Sequence, residues 1–212
     1  GIQLVVMGVF QESSLKTGDS SGRGDLLHFF FFLLPTKNVE MIFNKKRDLL
    51  IVVGGGSLPP QLYDRPHEDE LQPNRDRMEE QVIHYCVAHG IPIIATCRGM
   101  QYINVMFGGK LWYHPKLPVN RTRGVDHQVW LVKEQRNIWV NNYHSDCIYE
   151  EGLASCFEPL AIDRENHVVE AYGSDEMKIL ALQWHPERRF ETANAYEETR
   201  KIILDFIQKY VK

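Results

Sequence analysis

A cysteine, a histidine and a glutamate occupy places in this chain where the local sequence could make them a nucleophile, a base and an orienting group. Cys97 ends the apolar run Ile91-Pro-Ile-Ile-Ala-Thr and precedes a segment in which Met100, Ile103, Asn104 and Phe107 recur at helical intervals. This reads as a strand, a sharp turn and a helix. A thiol at such a turn is presented at the C-terminal edge of a sheet, where α/β proteins bind ligands. The N–H groups and positive dipole end of the following helix favour its thiolate form. Gly99, two residues on, lets the turn approach a neighbouring strand closely. The plain alternative is a core cysteine at a strand end.

The second signal is Leu180-Ala-Leu-Gln-Trp-His185-Pro-Glu187, an apolar run that ends in a histidine and a glutamate two residues apart. Pro186 fixes its own φ and steers His185 away from the helical region. If the segment stays extended, the two side chains lean the same way. The carboxylate can then hold one imidazole nitrogen while the other faces a thiol, as a cysteine nucleophile requires. Alone, His-Pro-Glu is equally a surface histidine beside a surface glutamate; its weight comes from the cysteine turn upstream. A third signal is Val52-Val-Gly54-Gly-Gly-Ser57, where a strand runs into three glycines. Their N–H groups could face a developing oxyanion, though a generic glycine turn has the same sequence.

The elements that must position these groups alternate in the first half. Leu4–Val9, Leu49–Val53 and Pro92–Thr96 are continuous apolar runs, as expected of strands covered on both faces. A helix over about Arg75–Ala88 carries Met78, Val82, Ile83, Cys86 and Val87 on one stripe and ends at His89-Gly90, with Gly90 suited to a left-handed cap. This is the pattern of βαβ units around a mainly parallel sheet. The second half reads as shorter β runs at Val129–Val132, Ile138–Val140, Pro159–Ile162, His167–Ala171 and Ile179–Gln183, an antiparallel or mixed extension of that sheet. A closing helix over about Ala193–Tyr210 buries Ile202, Ile203, Phe206 and Ile207. Leu58 to Asn74, rich in proline and acid, reads as a long loop of the kind that is often functional.

Bulk composition narrows the class. The 212 residues suit one sizeable α/β domain, with 43% hydrophobic and 25% charged residues as in ordinary globular proteins. A net charge of −4 argues against a nucleic-acid partner, and the basic run Lys45-Lys46-Arg47 reads as a solvated face. No apolar run approaches the roughly 18 to 20 residues of a membrane span. The first ten residues read as a buried strand without the basic segment of a signal peptide, so a cytoplasmic location is expected. Four cysteines without a Cys-x-x-Cys pair argue against a zinc site and for free thiols. Cys86 and Cys156 read as small core residues; Cys147, after a polar loop, is left open.

Taken together, Gly-Gly after the second strand, Cys97-Arg98-Gly99-Met100-Gln101 and Gln183-Trp184-His185-Pro186-Glu187 resemble the class I glutamine amidotransferase superfamily. Arg75-Asp76, Asn104, Phe107-Gly108-Gly109 and Val140-Asn-Asn-Tyr-His144 make the chain most similar to its γ-glutamyl-γ-aminobutyrate hydrolase branch, from about Leu49 to the C-terminal end. The resemblance implies one domain over residues 1–212, a flavodoxin-like three-layer sandwich with a mainly parallel central sheet and an antiparallel extension. It implies Cys97 as nucleophile, His185 as base and acid, and Glu187 as the residue that orients His185. Backbone N–H groups of Gly55 or Gly56 and of Arg98 would form the oxyanion hole. Gln101 would help hold a γ-glutamyl group, and His144 would lie near the pocket mouth. No metal or organic cofactor is implied.

The implied partner is a small γ-glutamyl amide, with no nucleic acid and no membrane. Oligomeric state is not legible, and the Phe29–Phe32 run suits a homodimer interface as well as a core. The leaving amine is open between a polyamine or aminobutyrate and a nucleotide-linked amidate, as in similar small bacterial enzymes of capsule phosphoramidate synthesis. A glutaminase subunit feeding a separate synthetase, a non-catalytic binding domain on the same fold and a peptidase are the competing readings. The chain departs from the family pattern at Ser57 and Leu58, where an aspartate is usual, and at Asp146, where glutamine is frequent.

Overall fold

Leu49-Leu-Ile-Val and Ile93-Ile-Ala-Thr carry almost no polar side chain, and the computed structural model gives the reason: both are interior strands with a packed layer on each side. Residues 4–7, 30–31, 48–55, 58–59, 62–63, 73–113 and 121–211 are described. Along the chain they form β1 (Leu4–Met7), β2 (Phe30–Phe31), β3 (Leu49–Val52), α1 (Pro73–His89), β4 (Ile93–Thr96) and α2 (Arg98–Met106). There follow β5 (His127–Leu131), β6 (Arg136–Val140), β7 (Glu158–Asp163), β8 (Val168–Ser174), β9 (Ile179–Leu182) and α3 (Ala195–Tyr210). Among the described residues the strands make one nine-stranded sheet in the order β2-β1-β3-β4-β9-β8-β7-β5-β6.

The sheet has two halves. From β2 to β9 every pairing is parallel. From β9 through β8, β7 and β5 to β6 every pairing is antiparallel. The expected antiparallel extension is therefore as wide as the parallel part. The seam is the pairing of β4 with β9, where Ile93 faces Ile179 and Thr96 faces Leu182. Because these two strands are parallel, both release the chain at the same sheet edge, which puts Cys97 and His185 on neighbouring exits.

Side-chain alternation builds the layers. Leu50, Val52, Ile93 and Ala95 point to one face and pack with Val82, Ile83 and Cys86 of α1 and Met100 and Ile103 of α2. Leu49, Ile94, Leu180 and Leu182 point to the other, where Ile202, Ile203, Phe206 and Ile207 of α3 cover them. Helix, sheet and helix are the three layers expected. Gly90 ends α1 with φ of 67°, the left-handed value its place demanded.

Several boundaries move. α1 begins at Pro73 rather than near Arg75, a position where the missing N–H of proline costs nothing because a first-turn donor has no helical acceptor. β4 begins after Pro92, which lacks the ladder donor. β1 is described to Met7 rather than Val9, and the closing helix starts at Ala195 rather than Ala193, after Asn194 at φ of 68°. Phe30–Phe31 form a short strand parallel to β1, a role the phenylalanine run did not reveal. Within the expected loop Leu58 to Asn74, Leu58 and Tyr63 are buried and Pro73-Asn74 already belong to α1. The basic run at 45–47 lies outside the described residues. Cys156 is exposed, not core: it sits in the turn before β7, and its neighbour Phe157 takes the inward place. Among the described residues no helix is long and apolar enough to cross a membrane.

Gly99 shows how tightly the seam is built. A Cβ there would stand 2.5 Å from the carbonyl oxygen of Val52 and 2.9 Å from its Cγ1. A backbone oxygen in a central strand cannot rotate away. Gly99→Ala is therefore expected to destabilise the fold by about 1–3 kcal/mol, the usual cost of overpacking, read as a lowered midpoint in urea unfolding.

Candidate active site

Cys97 is the single residue between β4 and α2, and the turn is made at its own backbone. Its φ of 49° and ψ of −110° lie where L side chains are rarely found. Such a conformation costs on the order of 1–3 kcal/mol and persists because its surroundings hold it. The Cys97 N–H donates to the carbonyl of Leu182 on β9 at 2.8 Å, and its carbonyl accepts the N–H of Gln101 at 3.1 Å, the first bond of α2. One residue is thus clamped to both elements. The Arg98 side chain turns away from the turn. It is buried and pairs with Asp76 and, at 2.7 Å, with Glu79 of α1, while the Tyr102 hydroxyl donates to the Asp76 carbonyl. What Arg98 offers the site is its backbone N–H, which bonds the Cys97 sulfur.

His185 is placed from three directions. Trp184, fully buried, donates its indole N–H to Thr199 of α3 at 3.1 Å. Asn141, also fully buried, grips the His185 main chain twice, accepting its N–H at 2.9 Å and donating to its carbonyl at 2.8 Å. Tyr143 meets the imidazole edge-on, with ring centroids 5.7 Å apart. The chain then turns instead of staying extended: the Arg188 N–H donates to the His185 carbonyl at 3.1 Å across Pro186-Glu187. The turn, not strand alternation, carries Glu187 Oε1 to 2.6 Å from His185 Nδ1. That contact leaves Nε2 as the nitrogen available to the thiol.

Gly54 closes the other side. A Cβ there would lie 2.8 Å from His185 Cε1 and 3.5 Å from Cys97 Cβ, so only glycine fits against the pair. Gly55 follows it, exposed, and Gly56 lies outside the described residues. The glycine that abuts the Cys97 Cβ and the imidazole is thus the first of the three.

The charges are tuned by this packing. Burial works against a thiolate at Cys97, but the hydrogen bond to His185, the His185 and His144 charges and the Arg98 N–H outweigh it, and the thiol is held below its ordinary range. Burial likewise opposes an imidazolium at His185, yet bonding to Cys97 and Glu187 pushes it up to about 9. Glu187 is held down, its burial outweighed by the bond to His185. Burial pushes the other three cysteines the opposite way, Cys147 up to about 12 and Cys86 further. Cys97 alone sits where a thiolate is favoured.

Gln101 and His144 are both buried. Gln101 donates from its amide nitrogen to the Asp146 carbonyl at 3.0 Å and to Gln183 Oε1 at 3.2 Å. His144 is 5% exposed, with Nδ1 on the Asp146 carbonyl at 3.0 Å and Nε2 facing Glu170 at 3.4 Å. Tyr63, from the loop after the glycines, donates to Asp146 Oδ2 at 2.9 Å and also borders a cavity of about 460 Å³ with Leu62 and residues 109–113. Sequence reasoning missed Asn141, Glu170 and Tyr63 as parts of this constellation. Asn141 stood inside the quoted Val-Asn-Asn-Tyr-His stretch, but nothing in its spacing showed that it would hold a residue 44 positions away. Among the described residues no three His, Cys, Asp or Glu side chains are arranged to hold a metal ion.

Fold and site together define an enzyme of the class I glutamine amidotransferase-like type, hydrolase or amidotransferase. Within that class the chain belongs to the Peptidase C26 family, whose model matches residues 31–187. It is 30% identical over 181 residues to the glutamine amidotransferase-like protein YvdE of Lactococcus lactis, covering 76% of this chain and 75% of that protein. It is 26% identical over 175 residues to the γ-glutamyl-γ-aminobutyrate hydrolase PuuD of Escherichia coli K12, covering 70% of this chain and 67% of that one. A crystal structure of a glutamine amidotransferase from Thermotoga maritima superposes with a TM-score of 0.57 at 16% identity, over 98% of this chain and 84% of that chain, a likeness of fold.

The His185 environment makes a direct prediction. Both Cys97 and Glu187 raise its pKa, so removing either anion must lower it. In histidine-labelled protein followed by NMR, His185 is expected to titrate near 9, and its midpoint should fall in Cys97→Ala and again in Glu187→Gln. An unchanged midpoint in both variants would separate the imidazole from these partners.

Proposed function

We propose that this protein hydrolyses the amide bond of a small γ-glutamyl compound through a thioester on Cys97, with His185 as acid and base and Glu187 as its orienting partner. The observation that carries this reading is a thiol favoured as thiolate, hydrogen-bonded to an imidazole whose far nitrogen rests 2.6 Å from a carboxylate. In the first half-reaction the Cys97 sulfur attacks the γ-carbonyl carbon, forming a C–S bond and placing the carbonyl electrons on oxygen. The N–H groups of Arg98 and of Gly55 or Gly56 would receive that oxyanion. The oxyanion collapses, the C–N bond breaks, and the His185 imidazolium gives its proton to the departing amine. Water then attacks the thioester carbonyl while neutral His185 takes its proton. Breaking the C–S bond releases glutamate and restores the thiolate–imidazolium pair.

Two features support a γ-glutamyl substrate of this size. Relatives in the same family include enzymes named γ-glutamyl-γ-aminobutyrate hydrolase. Gln101, which the family resemblance implies as a contact of the glutamyl group, is held in a fixed orientation by Asp146 and Gln183. The amine side is either a polyamine or aminobutyrate, or a nucleotide-linked amidate of the kind used in capsule phosphoramidate synthesis. Tyr63 and Asp146 belong to the wall that would meet it.

The pH dependence follows from the two shifts. Acylation needs Cys97 ionised and His185 protonated. Because the thiol is held low and the imidazole is pushed up to about 9, activity should be flat across neutral pH and fall as pH rises through about 9. A fall centred near the ordinary histidine value, roughly 6.5, would contradict the assignment. Glutamate release from a panel of γ-glutamyl amides, nucleotide-linked ones included, tests the reaction itself. Cys97→Ala should lose several orders of magnitude in rate, on the order of 10⁴-fold or more for a triad nucleophile. Near-normal release by that variant would end this reading.

A further inference from the structure

A buried cluster joined to the elbow helix through the Asp146 carbonyl is not used by the reaction above. Glu170, on β8, is 1% exposed, and its Oε1 faces two imidazoles: His144 Nε2 at 3.4 Å and His127 Nε2, from β5, at 3.6 Å. These are ion-pair distances, longer than a well-formed hydrogen bond. The geometry restricts the protons. His144 Nδ1 stands 3.0 Å from the Asp146 carbonyl oxygen, which can only accept, so Nδ1 carries a hydrogen. Nε2 then meets a carboxylate oxygen, and unless Glu170 is itself protonated the only favourable state has a hydrogen there as well. Burial opposes a charge on Glu170, but His144 and His127 outweigh it and hold its carboxyl well below the usual range. His127 needs only its Nε2–H tautomer to serve as the second donor. This geometry favours a hydrogen on both nitrogens of His144. The ring is linked to the elbow because the Asp146 carbonyl that meets its Nδ1 also accepts from Gln101 Nε2 at 3.0 Å, in the first turn of α2 after Cys97. Its charge is one of the causes that lower the Cys97 thiol.

We propose that Glu170 is a positioning residue that fixes His144 as an imidazolium near Cys97, so that the thiolate is held by two cations, His185 and His144. This rests on the reading of Cys97 as the nucleophile. The groups around His144 are consistent with the assignment. Cys97 comes from the elbow, Glu170 from β8 and His127 from β5, and Asp146 and Cys147 lie on its own loop. Cys147 is kept neutral by burial, pushed up to about 12, so it adds no competing anion. The arrangement also separates two tasks. His185 must give up and regain a proton in each cycle, whereas His144, paired at both nitrogens, keeps its charge while the sulfur cycles between thiolate and thioester.

The test reads the sulfur directly, without substrate. The rate of Cys97 alkylation by iodoacetamide is followed against pH by mass spectrometry of the Cys97 peptide, in the wild-type protein and in Glu170→Gln. This variant keeps the shape of residue 170 and its backbone bond to Gln183. Wild-type reactivity should persist below the ordinary thiol range, and the variant's profile should move to higher pH by roughly one unit, the lower end for loss of a nearby charge. A low wild-type profile that Glu170→Gln leaves in place overturns the role of Glu170 and spares the nucleophile. A wild-type profile at the ordinary thiol value, roughly 8.5, overturns the nucleophile reading itself. If circular dichroism shows that Glu170→Gln does not fold, NMR of the histidine-labelled wild-type protein decides: His144 with both nitrogens protonated at pH 7.5 upholds the proposal, and a neutral ring overturns it.

Discussion

One backbone conformation organises this molecule. Cys97 must leave a central strand and enter a helix within a single residue, at φ of 49° where a side chain is poorly tolerated. The strain is offset by contacts made immediately around it. Leu182 accepts its N–H, α2 takes its carbonyl, and Gly99 lies so near Val52 that no side chain fits between them. Those contacts require β3, β4 and β9 to be adjacent and parallel, as the sheet has them. The placing of the thiol at the sheet edge and the tightness of the packing around it are therefore one fact seen from two sides.

The second demand is electrostatic. Burial by itself would keep a thiol protonated, as it does at Cys86 and Cys147. Cys97 escapes because two imidazoles and an N–H face it, and each imidazole leans on a carboxylate, Glu187 or Glu170. Charge alternates outward from the sulfur in both directions, so no buried ion stands alone. Arg98 repeats the logic behind the elbow, where two carboxylates of α1 hold its guanidinium and dock that helix against α2.

What the sequence disclosed and what it hid divide along physical lines. Local signals were legible. An apolar run with no polar position meant an interior strand, Gly90 meant a left-handed cap, and strand–cysteine–helix meant an elbow. The continuous apolar runs of β3 and β4 and the stripes of α1 and α3 disclosed the layers. Contacts distant in sequence were not legible. Asn141 looks like any loop asparagine until the fold brings it to the His185 main chain, and Glu170 is an acid in an otherwise apolar strand until two histidines arrive beside it. The extended His-Pro-Glu segment failed for a related reason: proline restricts the residue before it but does not say which way the chain bends after it. A backbone bond from Arg188 decides that.

The division also explains where variation can be tolerated. The parallel half of the sheet supplies the elbow and the neighbouring exit of β9, and any change there moves the sulfur against the imidazole. The antiparallel half supplies Glu170 and His127, and the loop that leaves β6 carries Asn141, His144 and Asp146. That half therefore grips the His185 main chain, holds a second imidazole and forms part of the wall around Gln101. Asn141 and Glu170 act through shape and charge and are tied to the thiol. Asp146 touches Gln101 through its main-chain carbonyl and Tyr63 through its side chain, so its side chain can change without releasing Gln101. A position whose backbone does structural work while its side chain faces a neighbouring loop is free to alter what the wall presents. Asp146 stands at such a position, its carbonyl tied to Gln101 and its carboxylate to the Tyr63 hydroxyl.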